Sequence, residues 1–288
     1  MKVRRDWYDL PEGVRLAVEH NIGQVLKTDS PTAGRNSELA LTLWSEAGPV
    51  YCKGITTASS AWSSMHRNEM AVNPSLPDEL APRLLWHVET EGWLLLGFEH
   101  VSGQHADLSP DSADLPLVAD AVAQISRTPL PPAPVARRSM SEQWARGLAA
   151  EIGSPLPPEA ESWSAENLGL LDEWAIRAPD HMDGSSLAHT DLHPANILVS
   201  GRAQIIDWAW WRTAAPWVDP AFLLIRLIAE GHDPEAAEKW GCQFDGFSAA
   251  PPEALTAFVA SVVRMWERRF SNTAATEAAR QWARYRLS

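Results

Sequence analysis

The chain contains the sequence HTDLHPANILV at residues 189–199 and IIDW at residues 205–208. Asp191 and Asn196 stand five positions apart on a polar segment that leads into an apolar run. A Ser-Gly turn signal and a second apolar run follow, and that run ends at the carboxylate of Asp207. The pattern predicts a β-hairpin that brings Asn196 and Asp207 to one side of a cleft.

These three side chains suggest a particular chemistry. An amide oxygen from Asn196 and a carboxylate from Asp207 are hard ligands, which suit Mg²⁺ when phosphate oxygens and water complete its coordination. Asp191, left free of the metal, would be able to accept a proton from a hydroxyl group. The segment therefore predicts a magnesium site that works with a general base.

The same segment resembles the catalytic loop of kinases, His-x-Asp-x-x-x-x-Asn, followed by their metal-binding Asp. More narrowly, it resembles the aminoglycoside phosphotransferase and choline kinase-like family, in its actinobacterial form. The resemblance implies an α+β, bilobal protein-kinase-like fold, with a small antiparallel-β N-terminal lobe and a larger, mainly helical C-terminal lobe. The implied boundaries are a nucleotide-binding lobe at 1–98, a hinge at 99–104, and a lobe at 105–288 that carries the catalytic loop and the acceptor site.

The resemblance also implies roles for individual residues. Asp191 would be the catalytic base, and Asn196 and Asp207 would hold magnesium. His193 would contact the transferred phosphate, with a loop-structuring role as the alternative. Asp219, which precedes a proline, would cap a buried helix and brace the catalytic loop.

Upstream residues extend the resemblance to nucleotide binding. Lys53 ends a predicted strand, where a kinase fold has the lysine that contacts the α- and β-phosphates, and Glu69 would be its ion-pair partner. The alternative is that both are ordinary surface charges.

The nucleotide's phosphates and base would be bound elsewhere in this lobe. The Gly-x-Gly-x-x-Gly loop of protein kinases is absent, so backbone amides and the hydroxyls of Ser30, Thr32 and Ser37 would cover the phosphates. Glu99 and Val101 would offer backbone groups to a purine ring from the hinge.

Local patterns predict the secondary structure. Short apolar runs between turn signals predict strands at 22–26, 39–44, 50–52 and 93–98. Helical spacing and capping signals predict helices through 115–125, from Ser139, at 165–178, from Asp219 to Gly231, and through 255–270.

Composition limits the partners. The 288 residues carry a net charge of −13, which disfavours nucleic acid and anionic membranes and suits a cationic acceptor. We expect a cytoplasmic location for three reasons. The two cysteines are far apart in the sequence, no apolar run approaches the ~20 residues that a bilayer span needs, and the N-terminus lacks a signal-peptide pattern.

Taken together, the sequence predicts transfer of the γ-phosphate of ATP or GTP to a hydroxyl of a small molecule. Only eleven residues separate Asp207 from Asp219, which leaves no room for the long activation segment of a protein kinase.

An aminoglycoside-like or other antibiotic is the first interpretation of the acceptor. A metabolic kinase for choline, homoserine or a sugar is the alternative, and a catalytically silent kinase-like binding protein is the alternative from another class. The protein would act as a monomer or dimer. Candidate acceptor-binding carboxylates and aromatic walls are Asp180, Asp183, Asp233, Glu267, Glu277, Trp210, Trp211 and Trp266.

Overall fold

The computed structural model describes residues 5–30, 37–58, 60–270 and 272–288. Its strands are β1 (Val25–Asp29), β2 (Leu39–Ser45), β3 (Gly48–Thr56), β4 (Leu84–Thr90), β5 (Trp93–Glu99), β6 (Gln104–His105), β7 (Ser186–Ala188), β8 (Ile197–Val199), β9 (Ala203–Ile205) and β10 (Arg212–Ala214). Its α-helices are α1 (Glu12–Ile22), α2 (Ser60–Val72), α3 (Asp114–Arg127), α4 (Met140–Ala149), α5 (Ser162–Glu166), α6 (Leu168–Ala175), α7 (Ala178–Met182), α8 (Val218–Ala229), α9 (Pro234–Gly241), α10 (Asp245–Ser248), α11 (Pro252–Phe270) and α12 (Ala274–Leu287).

The chain forms two compact units. The first comprises Met1–Ala106 and Ala195–Trp210, and the second comprises Asp107–Pro194 and Trp211–Ser288. The predicted lobes assigned every residue after 104 to the helical part. In the structure, the segment 195–210, which carries the two proposed metal ligands, belongs to the β-rich unit instead.

A five-stranded antiparallel sheet forms the centre of the first unit, with the strand order β1-β2-β3-β5-β4. Helices cover both faces of this sheet, so its inner strands β2, β3 and β5 are largely buried and mostly apolar. Side chains alternate along β5: Trp93 and Leu95 pack on the α1 face, while Leu94, Leu96 and Phe98 pack on the face that α2 covers. The two faces therefore build two separate hydrophobic cores.

The predicted hairpin after the catalytic loop is present. Strands β8 and β9 pair antiparallel, with Ile197 opposite Ile205, and β6 adds a third strand beside β8. The connecting turn contains Gly201 at φ +73°, a left-handed conformation that glycine adopts without steric cost. The Ile206 N–H donates to the Asn196 carbonyl at 2.9 Å, so Asn196 and Asp207 stand at the same end of the hairpin.

The second unit is mainly helical and packs around α11. Phe258 of that helix is fully buried, and its ring meets the rings of Trp144, Trp217, Phe222 and Trp282. The Trp144 Nε1–H donates to Ser261 Oγ at 2.7 Å, which satisfies the polar edge of a buried indole. Aromatic packing thus holds α4, α8, α11 and α12 together.

Several helix boundaries differ from the sequence-based ones. The single helix predicted at 165–178 is three short helices, α5 to α7. Helix α8 begins one residue before Asp219, so this carboxylate lies inside the first turn and does not serve as the N-cap. At the end of α11, Phe270 is 52% exposed and does not join the buried stripe. None of the described helices is long and apolar enough to cross a membrane.

Candidate active site

A buried lysine between two carboxylates lies in the first unit. Lys53 Nζ is 2.5 Å from Glu69 Oε2 and 3.1 Å from Asp207 Oδ1. The side chains of Lys53 and Glu69 are 8% and 4% exposed, whereas that of Asp207 is 30% exposed. Strand β3 supplies the lysine, helix α2 the glutamate and the end of the hairpin the aspartate. These are not ordinary surface charges, because the fold brings them together from three elements.

The electrostatics of this group favour a charged lysine. Burial opposes the charge, but the carboxylates of Asp207 and Glu69 outweigh it and hold the pKa of Lys53 above its usual range. The Nζ atom also lies 5.4 Å from the centre of the Phe98 ring. Lys53 therefore presents a permanent positive charge beside the carboxylate of Asp207.

Asn196 and Asp207 complete the polar end of the hairpin. Asn196 is 6% exposed and ends a 3-10 turn that leads directly into β8. Asp207 has φ +62°, in the left-handed region that few non-glycine residues adopt. Asn196 directly precedes β8 and Asp207 follows β9, so an amide oxygen and a carboxylate lie at the same end of the hairpin, as the sequence predicts.

The three residues proposed to cover the phosphates differ in their surroundings. Ser30 follows β1 and is exposed. Thr32 lies outside the described residues. Ser37 Oγ is 3.2 Å from the Nε2 atom of His66, a buried residue of α2 whose Nδ1 lies 3.0 Å from the Trp62 carbonyl. This contact fixes Ser37 to the helix that supplies Glu69.

The predicted hinge, 99–104, begins at the last residue of β5 and ends at the first residue of β6. The Glu99 carboxylate accepts hydrogen bonds from the Arg83 guanidinium at 2.7 and 2.9 Å, and the Glu99 N–H donates to the Arg83 carbonyl. Partial burial acts against ionisation, but the Arg83 hydrogen bonds outweigh it and lower the pKa of Glu99. The carbonyl of Val101 accepts from the Gly103 N–H at 3.1 Å. Because the Glu99 side chain is committed to Arg83, any contact with a base must use the backbone.

In the second unit, the side chain of Asp219 holds the catalytic loop by binding the backbone of that loop. Its two carboxylate oxygens accept the N–H groups of His189, at 2.7 Å, and Thr190, at 2.8 Å. Thr190 has φ +65°, a strained conformation that persists only where its surroundings hold it. Burial raises the pKa of Asp219 to about 6, although the two donated hydrogen bonds oppose the shift.

The loop places Asp191 beside His193. The Asp191 N–H donates to Nδ1 of the fully buried His189 at 3.2 Å, so His189 supports the loop. His193 Nε2 lies 3.9 Å from Asp191 Oδ2, and both side chains are about one-third exposed. Arg226 of α8 faces the same carboxylate: burial lowers the pKa of Arg226, and the charge of Asp191 opposes that shift.

Most of the candidate acceptor-binding carboxylates have other partners. Glu267 is fully buried and accepts from Ser164 and Arg280, and Glu277 also pairs with Arg280. Asp233 accepts the Ala236 N–H as the N-cap of α9. Asp180 and Asp183 are exposed near the end of α7. Among the proposed aromatic walls, Trp211 is buried in the core, Trp210 is half-buried, and Trp266 lies under the Arg226 guanidinium.

Two residues at the site were not predicted from sequence, although each has a positional signal. Arg226 follows Asp219 by seven positions, two helical turns, so both occupy the face of α8 that meets the catalytic loop. Asn68 directly precedes Glu69 on α2, and its Nδ2–H donates to the Ala209 carbonyl at 2.8 Å. Its partner lies 141 positions further along the chain, so no local pattern predicts that contact.

Several solved structures have the same fold as this chain. The chain is similar to a choline kinase from Streptococcus pneumoniae, with a TM-score of 0.60 and 14% identity over 96% of this chain and 99% of that one. It is also similar to an aminoglycoside phosphotransferase from Streptomyces rimosus in complex with ADP and streptomycin, with a TM-score of 0.58 and 19% identity over 86% and 96%. An aminoglycoside phosphotransferase from Alicyclobacillus acidocaldarius matches with a TM-score of 0.55 and 16% identity over 96% and 92%. These similarities confirm the predicted α+β, protein-kinase-like fold.

The family follows from the sequence match. Residues 64–253, well over half of the chain, match the phosphotransferase enzyme family, and the chain belongs to that family. It is accordingly a small-molecule kinase or phosphotransferase that uses a hydroxyl group as acceptor. No curated protein matches the chain significantly.

Proposed function

We propose that the protein transfers the γ-phosphate of ATP or GTP, with Mg²⁺, to a hydroxyl of a small molecule. The observation that carries the proposal is the buried Lys53, 2.5 Å from Glu69 and 3.1 Å from Asp207. A lysine locked in this way offers a fixed positive charge for the α- and β-phosphates, next to a carboxylate that suits the metal. A structural ion pair alone does not explain why Asp207 is left 30% exposed beside it.

The donor set fits magnesium. This ion prefers one or two carboxylates together with phosphate oxygens and water, and it rarely sits in an all-protein cage. Within the described ranges, no three His, Cys, Asp or Glu side chains come together as a metal site. Asn196 and Asp207 would therefore hold the ion jointly with the nucleotide, and the bound ion would neutralise charge on the transferred phosphate.

The loop residues supply the remaining roles. Asp191 would orient the acceptor hydroxyl for in-line attack and take its proton late in the reaction. His193, 3.9 Å from that carboxylate, would contact the transferred phosphate. Asp219 would keep the loop in its strained conformation, so that little reorganisation is needed during the reaction.

Nucleotide binding would involve the first unit's strands. Ser37, fixed against His66, and Ser30 with Thr32 would cover the phosphates. The backbone carbonyl of Glu99 and the N–H of Val101 would bind the purine edge. Bound ADP in the Streptomyces rimosus relative supports a nucleotide as the donor.

For the acceptor, an aminoglycoside-like antibiotic is the first candidate, supported by the net charge of −13 and by the streptomycin-bound relative. A small amino alcohol is the second candidate, and a specific observation favours it. A polycationic antibiotic calls for several available carboxylates, yet Asp233, Glu267 and Glu277 have other partners. The similarity to a choline kinase points the same way.

The experiment is an acceptor screen that measures ADP or GDP release with Mg²⁺. The panel contains streptomycin, other aminoglycosides, choline, ethanolamine, homoserine and sugars, and mass spectrometry identifies the phosphorylated product. Asp191→Asn should lower turnover by about 10²-fold or more while nucleotide still binds. Nucleotide binding without transfer to any acceptor would instead favour a catalytically silent binding protein.

A further inference from the structure

The segment that follows Asp207 is held in an unusual shape. Asp207 itself has φ +62°, and the next three residues, Trp208–Trp210, form a 3-10 turn. A non-glycine residue in the left-handed region is sterically strained, so neighbouring groups must maintain it. The direction of the Asp207 carboxylate depends on that conformation.

Helix α2 supplies the groups that hold this segment. The Asn68 amide donates to the Ala209 carbonyl at 2.8 Å, and Asn68 is 7% exposed. The adjacent Glu69 accepts the Trp208 N–H in addition to its contact with Lys53. Two consecutive residues of α2 therefore bind the two residues that follow Asp207.

We infer that Asn68 is a positioning residue, which aims the Asp207 carboxylate at the metal by fixing the backbone of the turn behind it. The inference rests on the proposed function, because it takes Asp207 to be a magnesium ligand. Asn68 differs from Glu69 in carrying no charge and making no contact with Lys53 among the contacts described. Its removal therefore deletes the hydrogen bond to the Ala209 carbonyl without taking a charge out of the buried ion pair.

The residue that follows this helix, Asn73, offers a matched control. Asn73 follows α2 directly, is also 7% exposed, and donates through Nδ2 to the Pro82 carbonyl at 2.9 Å. Its Oδ1 also accepts the Leu84 N–H at 2.6 Å. Asn73→Ala thus also removes a buried side-chain amide that binds the backbone, but neither of its two hydrogen bonds goes to the segment after Asp207.

The experiment measures Mn²⁺, a spectroscopic substitute for Mg²⁺, bound to the ATP complex of the full chain by electron paramagnetic resonance. Loss of a group that orients a metal ligand typically costs 10–100-fold in metal affinity, so Asn68→Ala should weaken Mn²⁺ binding by about 10-fold. ATP affinity without metal should stay the same, and Asn73→Ala should change neither value. Thermal unfolding of each variant reports its stability separately.

The outcomes distinguish the two levels of the proposal. If the wild-type ATP complex takes up no Mn²⁺, the proposed function fails. If it does, and Asn68→Ala binds Mn²⁺ as tightly as wild type or no more weakly than Asn73→Ala, the positioning role is wrong. Should Asn68→Ala not fold, Asn68→Ser, which keeps a hydrogen-bond donor on a shorter side chain, is measured against Asn73→Ser by the same criterion.

Discussion

Replacing Asp219 with Asn tests how the catalytic loop is held. Each oxygen of the buried carboxylate accepts one backbone N–H, from His189 and from Thr190. An amide keeps one of these acceptors and places an NH₂ group against the other N–H. A buried donor left without a partner costs about 1–3 kcal/mol, so Asp219→Asn should lower the free energy of unfolding by that amount at pH 7.

The pH dependence gives a sharper test. Burial raises the pKa of Asp219 to about 6, against 3.8 for an unperturbed Asp. Between these values the folded protein binds a proton that the unfolded chain does not bind, so this group adds stability as the pH falls. From pH 7 to pH 5, wild type should gain about 1.4 kcal/mol relative to Asp219→Asn, because the variant lacks the titrating group.

The assay is urea denaturation at pH 5, 6 and 7, followed by tryptophan fluorescence. Asp233→Asn is the control, since it alters a carboxylate that accepts a backbone N–H at an exposed helix N-cap. Parallel pH curves for wild type and Asp219→Asn would refute the account of a buried carboxylate with a raised pKa. A loosened loop should also reduce turnover in the acceptor screen, with the acceptor's KM less affected.

Two further predictions concern the first unit. Glu69→Gln breaks a buried ion pair, so it should lower the free energy of unfolding by about 3–5 kcal/mol and weaken ATP binding, whereas Glu89→Gln, which breaks a surface pair on the same unit, should cost under about 1 kcal/mol. Calorimetry of unfolding and of ATP binding compares the two variants, and equal losses would show that the buried pair has no special role. Gly97→Ala would put a Cβ 2.1 Å from the Trp86 ring and should destabilise the folded protein by about 1–3 kcal/mol, whereas the new Cβ of Gly169→Ala would meet no neighbouring atom within 4 Å and should not destabilise it. Chemical denaturation of both variants measures the difference, and a Gly97→Ala variant as stable as wild type would contradict the packing described.

The chemistry-bearing hairpin could be predicted from sequence because its signals are local. The apolar runs, the Ser-Gly turn and the terminal Asp207 all lie within about a dozen residues, so pairing follows from the chain itself. Lys53 and Glu69 needed the family resemblance, because the ion pair joins a strand to a helix and no local pattern fixes that contact.

The N-terminal helix was missed for a physical reason. The run at 22–26 was predicted as a strand, but Ile22 is the last residue of α1 and Val25 the first of β1. Between them Gly23, at φ +79°, turns the chain. An apolar run that spans a turn looks continuous in sequence, although the glycine within it marks the end of a helix.

The acceptor side could not be predicted because charge alone does not show whether a carboxylate is committed. Glu267 and Glu277 looked available in sequence, and in the structure both bind Arg280. Asp219 was predicted both to cap its helix and to brace the catalytic loop. Helix α8 begins a residue earlier, so Asp219 is not the N-cap, but its carboxylate does bind the loop. Long-range partners decide these roles.

Asp207 is proposed to hold a magnesium ion on the bound nucleotide. The direct measurement is calorimetric titration of ATP into wild type and Asp207→Asn, each with Mg²⁺ and with a chelator. Wild type should bind ATP more tightly with Mg²⁺, and Asp207→Asn should bind it equally in both conditions. An unchanged magnesium effect in Asp207→Asn, or none in wild type, would contradict the account.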